Sequence, residues 1–461
     1  ETTPFIVSDF VRFVKTNFDK LLPGWHRVRP VSFDSYIENS NATPAVKKIL
    51  VKKELEMRAE GFDRDMIPSN LAYMWTSRSA FIKVENQLYS SPAELSGFRM
   101  PGELVTGQAN IDFNKPKAPR LIQGARPEFI VSTGPFFMAV QNMVKKIWNK
   151  NFPIFFTSGS TMTTVSQHIQ KHEGLWLEDD VGSFDASICP KICDLESWMT
   201  RKFGASPLVN QLFESNCNTH GYTSMGIKYK VPGTRKSGDP FTSLYNSMLN
   251  AFMHIWAYCT LTEKTVTQAL SETKIIVQGD DSVFRHPGEK LDFAWLLALI
   301  GFECVALYRS SLYDVEFCNN IFYETDQGFL FGPKPGRVLA KLGYFINPPL
   351  NENPLAMLRG VAIGLLTAAS YVPILSEVCE RILTLTRGYK AVFLKQYMLS
   401  FKYTQAKLID GDYTLLNRYG IVPVMKEKII RDMCDRLVGF HPYTELLFDR
   451  DTEAAKSIFV D

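Results

Sequence analysis

The distribution of apolar and polar positions divides the chain into three stretches. From Glu1 to about Gly174 the pattern is mixed and punctuated by Pro and Gly, with helical periodicity over segments such as Val140–Asn149. Between Leu175 and Glu324 short apolar runs, Leu175–Leu177 and Ile275–Val277, alternate with helical stretches and predict an α+β domain. Beyond Pro348 and Pro349 apolar positions recur at helical spacing over Leu355–Ala369, Val378–Leu385 and Lys426–Leu437, which predicts a separate helical domain. There is no fixed-period repeat and no low-complexity tract, which argues against solenoids and long linkers.

Composition adds bounds. The 461 residues are enough for roughly three domains, and 45% apolar with 21% charged residues is the balance of a folded chain. A net charge of only +3 means that a nucleic-acid partner must be argued from where the basic residues lie. The eight cysteines lack the dense spacing of a secreted disulfide scaffold, so a reducing, cytosolic setting is expected. No run reaches about 18 uncharged apolar residues and the N-terminus lacks signal-peptide features, so no membrane span is expected. A start at Glu1 suggests a piece processed or cut from a longer polypeptide.

The chemistry concentrates in the middle stretch. In LWLEDDVGSFDASIC, Leu175–Cys189, Asp180 follows an apolar strand with Asp179 beside it, and Asp185 comes five positions later, after a turn containing Gly182. Carboxylates so placed suit Mg²⁺, a hard cation that takes oxygen donors and keeps other positions for phosphate and water, although acidic residues at strand ends are often only solvated turn formers. The run from Lys274 to Arg285 reads as a β-hairpin with Gly279, Asp280 and Asp281 at its tip. Adjacent aspartates repel, and a divalent cation removes that penalty. If Asp180 and Asp280 face each other across neighbouring strands they can bridge two Mg²⁺ ions, the arrangement used in phosphoryl transfer.

Between these lies SGDPFTSLYN, Ser237–Asn246, in which Ser237 and Gly238 make a loop and Pro240 opens a helix that continues to about Tyr258. Thr242 and Asn246, four apart, share one face and offer a hydroxyl and an amide to a sugar or to Asp185. Helix capping accounts for Ser237 or Asp239 but not for that shared face.

Taken in order, the three stretches resemble the palm of viral RNA-dependent RNA polymerases: Asp with four residues before a second Asp, then SGxxxTxxxN, then GDD. The wording of the basic segment upstream, KPKAPRLIQGARPEF over Lys115–Phe129, resembles most the tombusvirus and nodavirus grouping of positive-strand RNA viruses. The resemblance implies a right-hand α+β fold with fingers, a palm of antiparallel sheet and packed helices, and a helical thumb. On that reading residues 1–174 are an N-terminal extension and fingers, 175–190 palm, 191–236 a fingers insertion, 237–330 palm and 331–461 thumb.

It also implies roles. Asp180, Asp280 and Asp281 would be catalytic and bind two Mg²⁺, with Mn²⁺ as a substitute, while Asp185, Ser237, Thr242 and Asn246 select a ribonucleotide through its 2′-hydroxyl. In KPKAPRLIQGARPEF, Lys115–Phe129, Lys117, Arg120 and Arg126 would hold the triphosphate, since guanidinium groups pair with phosphate oxygens. Within Leu299–Tyr323 the residues Phe317, Cys318 and Phe322 would pack a hairpin that grips the primer or product strand, and Arg309 stands where the family often carries a lysine acid. Lys334, Arg337 and Lys341 are candidates for contacts to template or product phosphates, with a solvated turn as the alternative. Expected partners are RNA template and product, ribonucleoside triphosphates and other viral replicase subunits, in the host cytoplasm at membrane-associated replication complexes.

Other readings remain open. Cys189, Cys193, Cys217 and His220 are conceivable zinc ligands by type, and His168 with His172 has the four-residue spacing of paired helical ligands; core packing and a surface face explain them as well. A metal-dependent nuclease also clusters carboxylates but does not need SGDPFTSLYN, and a non-catalytic assembly protein would have lost an acidic ligand. A reverse transcriptase is the nearest enzyme alternative, set apart by Gly279, Asp185 and Asn246.

Overall fold

The computed structural model describes residues 4–62, 69–83, 120–169, 174–223, 226–339, 342, 351–393, 406–409 and 411–434. It is a mixed structure of sheets and many helices in two compact units. Over their described residues, one gathers Glu1–Lys83, Pro119–Ser158 and Glu173–Tyr308, and the other Gly159–His172 and Arg309–Asp461.

Among the described residues the first unit is built on the strands β1 (Arg78–Lys83), β2 (Arg120–Ala125), β3 (Ile154–Phe156), β4 (Leu175–Val181), β5 (Asn218–Thr223), β6 (Lys228–Pro232), β7 (Lys274–Gln278), β8 (Asp281–His286) and β9 (Cys304–Arg309). One sheet runs in the order β3-β7-β8-β4-β9 and the other β2-β1-β5-β6. The first is antiparallel through β7, β8 and β4, while β3 joins β7 in parallel, a departure from the purely antiparallel sheet expected. Strand β4 is also longer than the apolar run Leu175–Leu177, because pairing with β8 carries the ladder on to Asp179↔Ser282. Asp180 therefore lies within the strand rather than after it.

Against this sheet lies the helix Thr242–Thr262, whose residues Leu244 to Cys259 are all buried. A helix apolar on every side has to be covered on every side. The helix Pro4–Leu21 supplies part of that cover, Phe10 meeting Trp256 at 5.5 Å between ring centroids and Phe18 meeting Phe252 at 6.3 Å. Each such fully buried aromatic contributes about 1.5–3 kcal/mol from apolar area removed from water. The segment expected as a helix over Val140–Asn149 is the end of a longer helix, Pro127–Ile147.

The second unit holds a smaller antiparallel sheet, β10 (Glu316–Phe317), β11 (Asn320–Thr325) and β12 (Gly328–Pro333), with the helices Pro354–Ala369 and Leu375–Leu385 packed together. Its core includes Tyr323, Leu358, Val372 and Cys379. Phe317 and Phe322 both pack on Phe331, but Cys318 does not share that face: with Asn319 it forms the β10–β11 turn, at φ of 48° and 58°. Lys334 is buried and bonded to Glu316 at 2.5 Å, and Arg337 donates to Asn319 at 2.7 Å, so both are used within the fold. Arg309 is buried. The helix predicted at Lys426–Leu437 is described as Pro423–Cys434, and Lys341 and His172 lie outside the described residues. Among the described residues no helix is long and apolar enough to cross a membrane.

Candidate active site

The hairpin tip is set by two residues, Gly279 and Asp280, between the closing pair Gln278↔Asp281. Gly279 holds φ at 68°, a left-handed conformation that glycine takes without strain and that suits the first central position of a tight hairpin turn. One step beyond the pair Asp179↔Ser282, Asp180 on β4 comes level with Asp281 on β8. Asp180, Asp280 and Asp281 are all exposed.

The buried helix fixes this tip from behind. Ser247 Oγ accepts the Gly279 N–H at 2.7 Å, and Asn250 Nδ2 donates to the Asp280 carbonyl at 2.7 Å. One turn on, His254 Nδ1 meets the Asn250 carbonyl at 2.9 Å, which requires that nitrogen to carry hydrogen, and Nε2 lies 3.3 Å from Asp179 Oδ2 in an ion-pair contact. Burial by itself lowers the basicity of His254, but the Asp179 charge and the Asn250 carbonyl outweigh it and raise the imidazole above its ordinary value. Asp179 Oδ1 also takes the Ser282 hydroxyl at 2.5 Å, which ties β4 to β8 beside the exposed aspartates.

A second cluster forms around Asp185, in the short helix Phe184–Ser187. The backbone of the following loop is laid alongside it by Thr234 N–H to Ile188 O at 2.6 Å and Arg235 N–H to Asp185 O at 2.7 Å. Gly233 permits this approach: at φ 71° a Cβ would sit 2.5 Å from the Ile188 carbonyl. Ser237 Oγ then donates to Asp185 Oδ2 at 2.6 Å, and Asn246 Nδ2 to Asp185 Oδ1 at 2.8 Å. Thr242 does not join them. Its hydroxyl donates to the Lys236 carbonyl at 2.8 Å and closes the loop onto the helix, because its position is the first of that helix.

The loop is held by groups that sequence reasoning missed. Asp239, a capping candidate in the sequence, is buried and bonded to Arg78 at 2.8 Å and to Asn216 at 2.7 Å. Lys236 is buried too, and its ammonium donates to the carbonyls of Asn216, Gly233 and Thr234 at 2.8–2.9 Å. Burial pushes that lysine down to about 8, against the opposing pull of Asp239. Arg235 is buried in contact with Glu196 on the helix Pro190–Lys202 and donates to Asn246 Oδ1 at 2.9 Å. The row of polar residues Asn246, Ser247, Asn250 and His254 inside an otherwise apolar helix signals that helix's bonds to Asp185, the hairpin tip and Asp179, and of the loop's buried groups only Arg235 bonds to it.

The remaining expected residues are described only in part. Arg126 precedes the helix Pro127–Ile147, with Nε 3.6 Å from Glu128; Arg120 belongs to β2, and its side chain, like all of Lys117, lies outside the described residues. His220 stacks on Tyr73 at 3.6 Å instead of joining the cysteines. Among the described residues no group of three or more His, Cys, Asp or Glu converges on a cation position, neither the zinc candidates nor the three aspartates. What Asp180, Asp280 and Asp281 offer is the right donor chemistry, exposed carboxylate oxygens at one end of the neighbouring interior strands β4 and β8 and the β7–β8 turn.

The acidic hairpin belongs to the five-stranded sheet, and the helix packed on that sheet presents Asn246 to Asp185. The family model described as RNA dependent RNA polymerase matches residues 110–356, more than half of the chain, and the chain belongs to that family. The chain is 25% identical over 312 residues to the RNA-directed RNA polymerase of Pariacoto virus, covering 62% of this chain and 30% of that protein. It is 24% identical over 350 residues to the RNA-directed RNA polymerase of Turnip crinkle virus, covering 68% of this chain and 41% of that protein. A genome polyprotein of Classical swine fever virus, strain Brescia, matches at 23% over 303 residues, 59% of this chain and 8% of the polyprotein. The chain thus spans well under half the length of these relatives, and the resemblance read from its three motifs agrees with them.

Proposed function

We propose that this chain copies an RNA template into RNA, joining ribonucleoside triphosphates to a growing 3′ end in the replication and transcription of a positive-strand RNA virus genome. The observation that carries this reading is the convergence of Ser237 and Asn246 on Asp185, one residue along the helix from the Ser247 that holds Gly279. A nuclease has no need of such a group, whereas a polymerase that tells ribose from deoxyribose does.

Asp180, Asp280 and Asp281 would hold divalent cations, Mg²⁺ first and Mn²⁺ as a substitute, which stabilise the attacking and leaving oxygens when bound. Asp185, Ser237 and Asn246 would meet the 2′-hydroxyl. Lys117, Arg120 and Arg126 would neutralise the triphosphate. In this reading residues 175–190 and 237–330 are palm, 1–174 and 191–236 extension and fingers, and 331–461 thumb. The site of action is the host cytoplasm, at membrane-associated replication complexes with other viral subunits. The test is incorporation of labelled ribonucleotides by the purified chain on a primed RNA template with Mg²⁺. Product complementary to the template supports the reading, and product independent of template sequence overturns it.

A further inference from the structure

Asn246 is pulled from both ends. Its Nδ2 donates to Asp185 Oδ1 at 2.8 Å and its Oδ1 accepts from Arg235 Nε at 2.9 Å. Arg235 in turn places its two terminal nitrogens on the two carboxylate oxygens of Glu196, Nη1 to Oε2 at 2.9 Å and Nη2 to Oε1. Arg235, Glu196 and Asn246 are 4%, 1% and 3% exposed, so the chain of bonds runs through the interior and emerges at the half-buried Asp185.

Chemistry gives this chain a direction. A guanidinium only donates and a carboxylate only accepts, so the Asn246 amide satisfies both neighbours in one orientation alone. Turned over, it would set its oxygen against the Asp185 carboxylate and its N–H groups against the guanidinium. Burial opposes the charge on Arg235, but Glu196 outweighs it and holds the guanidinium protonated, so the donor is permanent.

We propose that Arg235, fixed by Glu196, is a positioning residue for sugar choice: it locks the Asn246 amide so that an N–H, and not an oxygen, faces Asp185 and the 2′-position of the nucleotide. The inference rests on the polymerase reading and names a residue pair that acts through Asn246 without touching substrate. A 2′-hydroxyl both donates and accepts, and it meets a fixed pattern of Asp185 acceptors and Ser237 and Asn246 donors. Asp185 stays bonded to Ser237 and Asn246 with either sugar, but a deoxy sugar leaves the amide's second N–H and the remaining carboxylate lone pairs without the partner that a 2′-hydroxyl supplies, the situation in which polar sites discriminate most strongly.

A purely structural ion pair predicts something else. Buried ion pairs are often replaced by apolar residues with no loss of stability, but an apolar pair cannot orient an amide. The test uses the full chain on a primed RNA template, with kcat/KM measured for a ribonucleotide and its 2′-deoxy counterpart. The variants are Arg235→Lys, which keeps a charge beside Glu196 but has one nitrogen in place of the three that reach Glu196 and Asn246, and the double change Arg235→Met with Glu196→Met. Thermal melting identifies the folded variants, and the charge-free double change serves if the lysine variant does not fold.

The expected result is a fall of about tenfold in the ribose-to-deoxyribose ratio of kcat/KM, the loss of roughly one charge-assisted hydrogen bond. Adding Asn246→Ala to the Arg235 variant should then change the ratio no further, since the two act as one unit. An unchanged ratio in a folded variant overturns the proposal and leaves the polymerase reading standing, as does equal use of both sugars by the unaltered chain. No incorporation by the unaltered chain overturns both.

Discussion

Asn250 donates its side-chain amide to the carbonyl of Asp280 at 2.7 Å, so the tip of the acidic hairpin hangs from a helix that is itself buried on all sides. The position of the exposed carboxylates is therefore set by a helix buried from Leu244 to Cys259. Replacing Asn250 by Ala should cost about 1–2 kcal/mol of stability, the scale of a hydrogen bond lost with its partner left behind. Incorporation should fall more than that loss explains, because the tip is no longer held. Thermal melting and steady-state incorporation on the same preparation check this, and normal incorporation in the variant would show that Asn250 does not position the tip.

Gly279 tests the same tip by conformation alone. A Cβ there meets nothing within 4 Å, so Gly279→Ala introduces no clash. Its φ of 68° still penalises an L side chain by roughly 1–2 kcal/mol. A melting shift of that size, with reduced incorporation, is expected; an unshifted melt would mean that the turn adopts another conformation in solution.

Much of this candidate site is legible in the amino-acid sequence because the chemistry proposed for it calls for particular residue types at particular spacings. Asp180, Asp185, Ser237, Asn246, Asp280 and Asp281 all announce themselves in that way. The hairpin does too, through the apolar run ending in Gly279. Pairing across distance is what a linear pattern does not carry. The acidic run Glu178–Asp180 looks like a strand end, and only its pairing with β8, with His254 and Ser282 on Asp179, lets it continue as strand. Thr242 sits at the correct spacing but is drawn to the Lys236 carbonyl by the geometry of the helix start. Arg235, Glu196, Arg78 and Asp239 carry no local motif, since each acquires its meaning from a partner on another element.

Asn246→Asp reverses the polarity that the site depends on. The new carboxylate can still accept from Arg235, but it faces Asp185 with like charge and has no N–H to donate. Ribonucleotide kcat/KM should drop by about tenfold or more relative to the deoxynucleotide value. Parallel titrations with the two triphosphates measure this, and preserved sugar preference would remove Asn246 from the selecting group.

The His254–Asp179 pair makes stability depend on pH. The folded-state imidazole is raised above its ordinary value, so its contribution is complete below the ordinary histidine value of about 6.5. It is lost as pH rises through the raised folded value. The melting advantage of the unaltered chain over His254→Gln should therefore be larger below the ordinary histidine value of about 6.5 than at alkaline pH. An advantage independent of pH would mean that His254 is buried neutral.

Templated RNA synthesis should depend on the exposed carboxylates at one end of strands β4 and β8. That dependence is tested most directly by comparing the unaltered chain with an Asp280→Ala, Asp281→Ala double variant on a primed RNA template, with Mg²⁺ present and with it chelated. The account predicts template-complementary product from the unaltered chain with Mg²⁺, none on chelation, and none from a double variant that melts normally. Template-complementary product from the folded double variant would contradict it.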